Sequence, residues 1–95
     1  MIQRHLTFKV LARNAAAFER YFEQRYRPAM ADAPGYVRAD LLCELDDPTR
    51  YRMVLCWADA DAAAGWRTSP VHQGLQPELN ALHEGMEGTG YRVVA

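Results

Sequence analysis

The hydrophobic pattern of this chain changes its period along the sequence, and this feature constrains the fold more than any other. Apolar and polar side chains alternate over residues 2–11, which is typical of a β-strand. Over residues 15–32 the apolar side chains recur every four positions instead, which predicts an amphipathic helix. Four residues form its apolar stripe: Phe18, Phe22, Tyr26 and Met30. Pro28 lies within this helix and lacks an amide donor, so we expect a kink or a change of helical geometry there.

Alternation returns over residues 36–45 and 51–58. The segment between these two stretches is rich in Asp, Pro and Thr, which favour turns, so the pattern predicts an antiparallel hairpin. Placing Leu45 opposite Tyr51 gives the two strands one wholly apolar face, and a slip by one residue would mix apolar with charged side chains. We therefore expect this register.

Two helix starts follow in the C-terminal half. Asp59 is placed to cap one helix, and Ser69 followed by Pro70 marks the start of another. Since Pro77 removes an amide donor, we expect it to split the later helix into two short ones. Three glycines then loosen the chain before a short final strand, predicted at residues 91–94.

The resulting order is strand, helix, strand, strand, helix, strand. This order predicts a single α+β domain over residues 1–95 with the ferredoxin-like split β-α-β arrangement, a four-stranded antiparallel sheet with helices on one face. The other face would then be bare although it is partly apolar, and a second copy of the sheet could cover it. We therefore expect a homodimer. The residues predicted on the bare face include His5, Thr7, Leu42, Val54 and Cys56.

Composition argues against several classes of partner. The 11 basic and 12 acidic side chains nearly balance, and no segment concentrates Lys or Arg, so nucleic acid and anionic membranes are not expected partners. No stretch approaches the roughly 20 apolar residues of a membrane span. Cys43 and Cys56 lie outside any C-x-x-C spacing and on opposite faces of the predicted hairpin, which is typical of reduced thiols in a cytoplasmic protein. The spacing of the histidines and cysteines predicts no metal site.

Five short motifs are spread over nearly the whole chain: Phe18 to Phe22, Pro34-Gly35-Tyr36, Asp47-Pro48, Trp57-Ala58-Asp59 and Trp66-x-x-Ser69-Pro70-x-His72. Together they resemble the antibiotic biosynthesis monooxygenase family of small dimeric α+β barrel proteins. The resemblance implies the fold described above, with two copies paired as a dimeric α/β barrel. It identifies the superfamily better than the reaction, because the family includes cofactor-free quinone-forming oxygenases, haem-degrading enzymes and members without known substrates.

Compared with the cofactor-free anthrone oxygenases of that family, this chain keeps one functional position. A Trp ends the third strand in those enzymes, as Trp57 does here. The positions that hold Asn, Tyr and Arg in those enzymes fall at Met53, at Ala63 and near Gln76 in this sequence. The resemblance therefore implies an oxygenase-like cavity whose polar groups differ.

The haem-degrading members resemble this chain at Trp66. Their axial His falls at Gln76, however, and their Asn in the first strand has no counterpart. His72 follows Trp66 by about one and two-thirds helical turns and is expected to face elsewhere, which argues against haem.

Cofactor-free oxygenation needs a base that deprotonates an electron-rich phenol or anthrone, and His72 is our candidate for that base. Imidazole titrates near neutral pH, and the residue lies just after a helix start, close in sequence to Trp66. The alternative is a structural one, since a His in the first turn of a short helix is often a surface or capping residue.

Five further residues are candidates for substrate binding. Trp57 and Trp66 offer flat walls for an aromatic ligand, although such residues more often belong to the core. Tyr36 is a candidate phenolic donor, and Arg38 a candidate partner for an oxyanion, unless it only pairs with the nearby carboxylate of Asp40. His5 would line the dimer barrel or lie at its rim.

These observations predict a cofactor-independent monooxygenase that acts on a small aromatic or quinol-type metabolite. A non-catalytic dimer that binds a small apolar molecule is the alternative, and haem degradation is a third hypothesis. Neither a metal ion nor an organic cofactor is expected.

Overall fold

The computed structural model describes residues 1–95 and confirms the ferredoxin-like arrangement. The strands are β1 (Ile2–Lys9), β2 (Tyr36–Cys43), β3 (Arg50–Trp57) and β4 (Gly85–Arg92). They are antiparallel and form one open sheet in the order β2-β3-β1-β4. The β2–β3 hairpin forms one side of the sheet, and helical segments connect β1 to β2 and β3 to β4.

The first helical region changes geometry near Pro28, as predicted. At the end of its wide π turn, the backbone amide of Arg27 donates a hydrogen bond to the carbonyl of Phe22, five residues back. Around an α-helix, residues four positions apart are rotated by about 40° from one another. The π turn has more residues per turn and offsets this rotation, so all four side chains of the predicted stripe are buried. The region consists of a 3₁₀ turn (Ala12–Asn14), α1 (Ala15–Tyr21), the π turn (Phe22–Tyr26) and α2 (Arg27–Ala31).

Both predicted helix caps are present in the second helical region, which consists of α3 (Ala60–Thr68) and α4 (Pro70–Asn80). The Asp59 carboxylate accepts a hydrogen bond from the amide of Ala62 at 2.8 Å, and the Ser69 hydroxyl accepts one from the amide of His72 at 3.2 Å. The expected split at Pro77 is wrong, because α4 runs through it. Pro77 lies on the exposed side of α4, where water can solvate the carbonyl that loses its partner.

The β2–β3 register differs from the prediction by two residues. Cys43, not Leu45, lies opposite Tyr51. The turn explains the shift, because the Asp47 carboxylate accepts hydrogen bonds from both the amide and the hydroxyl of Thr49, at 3.0 and 2.6 Å, and so places a longer turn between the strands. Leu45 then projects into solvent. A shift of two residues keeps residues 39–43 on their predicted faces. A β-bulge between Tyr36 and Arg38 changes the pairing at the start of β2, so Tyr36 lies opposite Trp57 and packs against the core, whereas Val37 is exposed.

The last strand is longer than predicted. It begins at Gly85 rather than at residue 91, so the three glycines lie inside β4. Pairing with β1 along its whole length overrides the low strand propensity of glycine. A Cβ atom at Gly88 would lie 2.9 Å from Nη2 of Arg4, so this glycine leaves space for the Arg4 side chain.

The helices cover one face of the sheet, called here the covered face, and leave the other face open. Phe18 of α1 and Met53 of β3, both with no exposed surface, lie in the core between them. Tyr21 ties α1 to α4 by donating a 2.6 Å hydrogen bond to the carbonyl of Leu75, and its burial raises the pKa of the phenol to about 12. No helix of the chain is both long enough and apolar enough to span a bilayer.

Candidate active site

An apolar cavity of about 100 Å³ lies between the covered face and helices α3 and α4. A cavity of roughly 150 Å³ binds benzene in another protein, so this one has space for about one small ring before its mouth widens. Arg67 and Met86 are exposed members of the wall and mark the mouth. The residues that line the cavity include Arg4, Tyr26, Trp57, Trp66, Arg67, His72, Gln76 and Met86.

The two tryptophans form one aromatic wall of the cavity. Trp57 is the last residue of β3, Trp66 lies in the final turns of α3, and their ring centroids are 6.2 Å apart at an interplanar angle of 30°. Tyr36 packs edge-on against Trp57, with centroids 6.1 Å apart, but it does not line the cavity. The structure therefore brings both predicted wall residues together and places Tyr36 behind them.

His72 lies beside these rings in the first turn of α4. Its ring centroid is 5.3 Å from that of Trp66, so the expectation that it faces elsewhere is wrong. Residues Trp66 and His72 belong to two different helices, and the break at Ser69 means that helical turns cannot be counted across them. One turn further along α4, the Gln76 amide nitrogen lies 3.1 Å from Nε2 of His72.

The wall contains hydrogen-bonding capacity that the protein does not use. Nε1 of Trp66 and Nδ1 of His72 are both buried without a hydrogen-bond partner. Buried polar atoms are usually paired, because each unpaired one costs about 1–3 kcal/mol. A ligand with matching polar groups would satisfy these atoms.

Burial sets the protonation states in the cavity. It lowers the pKa of His72 below its ordinary value; a contact with the Arg67 carbonyl that falls short of ordinary hydrogen-bond geometry opposes this effect, and the Arg67 guanidinium adds to it. The imidazole is therefore mainly neutral at pH 7 and able to accept a proton. Burial raises the pKa of Tyr26, which keeps the phenol protonated. The Trp66 indole opposes this rise slightly, but its N–H makes no hydrogen bond of ordinary geometry.

Arg4 is a cavity residue that the sequence reasoning missed. It lies on the covered face of β1, between Leu55 of β3 and Gly90 of β4, and its side chain makes neither an ion pair nor a hydrogen bond. A signal was present in the sequence, because Arg4 interrupts the apolar side of an otherwise regular alternation that includes Leu6 and Phe8.

Arg38 and His5 lie on the open face, away from the cavity. Arg38 donates two hydrogen bonds to the carboxylate of Asp40, at 3.0 and 3.1 Å, and this pairing raises the pKa of the guanidinium. Nε2 of His5 lies 2.9 Å from the Gln3 side-chain oxygen, and its ring centroid lies 4.6 Å from that of Tyr91. The structure thus separates these two candidates from the tryptophans.

An open ferredoxin-like sheet with an aromatic cavity under its helices defines the class of this protein. Residues 1–78 match the model of the antibiotic biosynthesis monooxygenase family, and the chain belongs to that family. No curated protein matches the chain.

Solved structures agree with this assignment. SnoaB of Streptomyces nogalater, described as a cofactor-independent oxygenase, is 28% identical; the match covers 99% of this chain and 93% of SnoaB, with a TM-score of 0.89. A conserved protein of Methanosarcina mazei Go1 is 17% identical; the match covers 96% of this chain and 90% of that protein, with a TM-score of 0.85. At this level of identity it shows similarity of fold alone.

Proposed function

We propose that this protein is a cofactor-independent monooxygenase for a small aromatic or quinol-type metabolite. One observation carries the proposal: the imidazole of His72, whose pKa burial lowers, lies against the indole of Trp66, which stacks on Trp57 in an apolar cavity. Family membership and the 28% identity to SnoaB, itself described as a cofactor-independent oxygenase, support the same reaction class.

In this proposal His72 removes a proton from the activated carbon or hydroxyl group of the substrate. For a substrate with an activated CH₂ group, the resulting carbanion gives one electron to dioxygen, and the two radicals combine to a peroxide. The peroxide takes up the proton and loses water, so that R₂CH₂ and O₂ become R₂C=O and H₂O. The electrons come from the substrate and dioxygen is the oxidant, so the reaction balances without a further reductant.

The cavity walls assist this chemistry in two ways. Trp57 and Trp66 hold the flat substrate and exclude water, which strengthens electrostatic interactions inside the cavity. The unpaired N–H of Trp66 and the protonated hydroxyl of Tyr26 are the donors available to a developing oxyanion. Tyr36 supports Trp57 from behind.

We further propose that two copies of the chain pair through their open faces. Leu42 and Tyr91 are each about half exposed there, at 50% and 49%, beside the partly exposed Val54, and apolar groups on an uncovered sheet favour association. His5 and Arg38 would then lie in or near the interface. Both cysteines are free thiols, in keeping with a cytoplasmic location.

Oxygen uptake tests the oxygenase proposal. Purified protein is mixed with anthrone, and dioxygen consumption and anthraquinone absorbance are followed above the rate without protein, with and without EDTA. We expect turnover that EDTA does not change, and a loss of at least about tenfold in His72→Ala, because general acid–base catalysis typically contributes about 10²–10⁴-fold. His83→Ala is the matched control, because His83 packs against Phe8 and does not line the cavity.

Three results would contradict parts of the proposal. Unchanged turnover in His72→Ala removes His72 from the mechanism. Binding of anthrone without any oxygen uptake supports the non-catalytic alternative. A shifted Soret band with haemin, together with loss of the porphyrin spectrum under a reductant, supports haem degradation.

A further inference from the structure

The cavity carries positive charge that nothing in the protein neutralises. Arg4 and Arg67 both line it, and neither guanidinium makes an ion pair or a side-chain hydrogen bond. No Asp or Glu is among the lining residues, although the chain as a whole has a net charge of -1. With His72 neutral, a ligand in this cavity meets two unpaired cations and no anion.

The side chain of Arg4 fits against β4 because Gly88 and Gly90 carry no side chains there. A Cβ atom at Gly88 would lie 2.9 Å from Nη2 of Arg4, and one at Gly90 would lie 3.5 Å from Nη1. The guanidinium therefore rests over the backbone of β4, in space that these glycines leave free. Arg67, in contrast, is exposed on α3 and has no comparable support.

A partly buried cation without a partner is unfavourable, because it loses hydration without gaining a counter-charge. A guanidinium is suited to a carboxylate, whose two oxygens match its parallel N–H groups. The apolar, aromatic walls beside it are suited to a flat ring.

We infer that the cavity takes aromatic ligands that carry a carboxylate, and that Arg4 is the residue that binds this group and selects for it. This inference rests on the proposed function only in taking the same cavity as the substrate site. It makes Arg4 a specificity-determining residue, whereas Arg67 adds a weaker and less directed attraction.

Paired ligands test the inference. The affinities of 2-naphthoate and of its neutral analogue 2-naphthamide are measured by titration calorimetry, and benzoate with benzamide repeats the comparison for a single ring. We expect the carboxylate of each pair to bind at least about tenfold tighter, in line with a charge-assisted bidentate hydrogen bond. The two indole N–H signals in a ¹H–¹⁵N NMR spectrum, from Trp57 and Trp66, should shift with the same ligand, which locates binding in the cavity.

Variants then assign the selectivity to one residue. Arg4→Met keeps the length and packing of the side chain and removes its charge, so we expect the preference for carboxylate to fall below threefold while amide binding stays within threefold of the original protein. Arg67→Met and Arg20→Met, the latter an exposed residue of α1, should keep most of the preference. Loss of the preference in Arg67→Met instead of Arg4→Met would overturn the assignment.

Equal affinity for carboxylate and amide in the unmodified protein, or no binding of any of the four ligands, would overturn the inference without any variant. Because calorimetry does not depend on oxygen uptake, this result is separate from the proposed function. Carboxylate selectivity through Arg4 without turnover keeps the inference and removes the oxygenase. Turnover of anthrone together with equal affinity for carboxylate and amide keeps the oxygenase and removes the inference.

Discussion

The two faces of one sheet show how alternate residues of the same strands are put to different uses. On the covered face, Phe8 and Met53 join a continuous apolar core under the helices. On the open face, one residue further along each strand, short polar pairs such as Arg38 with Asp40 lie beside exposed apolar groups such as Leu42. Alternation of residues along a strand therefore gives one sheet a face that packs in the core and a second face that is available for association.

The covered face is itself divided. On its β2–β3 side, Met53 packs in the core with Phe18, and neither side chain has any exposed surface. On its β1–β4 side, β4 presents Gly88 and Gly90, and the cavity lies next to this strand. The candidate site therefore lies next to two β4 positions, Gly88 and Gly90, that carry no side chain, and Arg4 extends into the space they leave.

The largest expected effect comes from removing a side chain between the covered face and α1. Phe18→Ala should lower the free energy of unfolding by about 3–5 kcal/mol, because it leaves a cavity in the packed core. Leu42→Ala, on the open face, should change it by no more than about 0.5 kcal/mol at protein concentrations low enough to separate the subunits. Urea unfolding followed by circular dichroism measures both, and equal losses would break the distinction between the faces.

The second prediction concerns association through the open face. Leu42→Asp places a carboxylate in the proposed interface in both copies, so we expect the dimer dissociation constant to rise at least about 30-fold, or roughly 2 kcal/mol, while the fold of each chain is kept. Sedimentation equilibrium at micromolar concentration measures it. Val71→Asp is the matched control, because Val71 is 54% exposed on α4 rather than on the sheet. A monomer in the unmodified protein would remove the proposed interface.

A third prediction tests the glycine-lined part of the covered face. In Gly88→Ala the new Cβ would lie 2.9 Å from Nη2 of Arg4 and 3.0 Å from Cδ2 of Leu6, so these side-chain ends must move, at an expected loss of about 1 kcal/mol in unfolding free energy. Gly85→Ala meets nothing within 4 Å and should be neutral or stabilising by about 0.5 kcal/mol. Thermal or urea unfolding of the two variants distinguishes them, and equal effects would mean that β4 is not tightly apposed to Arg4.

The smallest expected effect is on the pH dependence of stability. Burial lowers the pKa of His5, His72 and His83 below the ordinary value of 6.5, so below that pH the unfolded chain binds more protons than the folded chain. Stability should therefore be fully present above about pH 6.5 and decline as the pH falls below it. Urea unfolding between pH 7.5 and 5 measures this slope, which His72→Gln should reduce; a slope that stays the same would show that His72 titrates normally in the folded protein.

The order of elements and the covered face could be predicted from the sequence because their signals are local. The stripe from Phe18 to Met30 and the caps at Asp59 and Ser69 each depend on residues a few positions apart. The register error at the β2–β3 turn arose from a local signal too, since the hydrogen bonds of Asp47 to Thr49 lengthen a turn that composition alone describes only loosely.

The candidate site could be predicted only in part. Trp57, Trp66 and His72 were proposed from residue type and the resemblance, and the cavity brings these three together. That His72 faces Trp66 depends on the angle between α3 and α4, and that Arg4 lies against β4 depends on a pairing across more than eighty residues of sequence.

The sequence by itself determined most of the side chains that face the core and the order in which strands and helices follow, because alternation, helical spacing and caps act between near neighbours in the chain. Only the tertiary structure decided the extent of β4, the meeting of His72 with Trp66 and the unpaired position of Arg4 in the cavity. The physical reason is that these features depend on contacts between distant segments, where pairing with β1 and the crossing of two short helices outweigh local propensity.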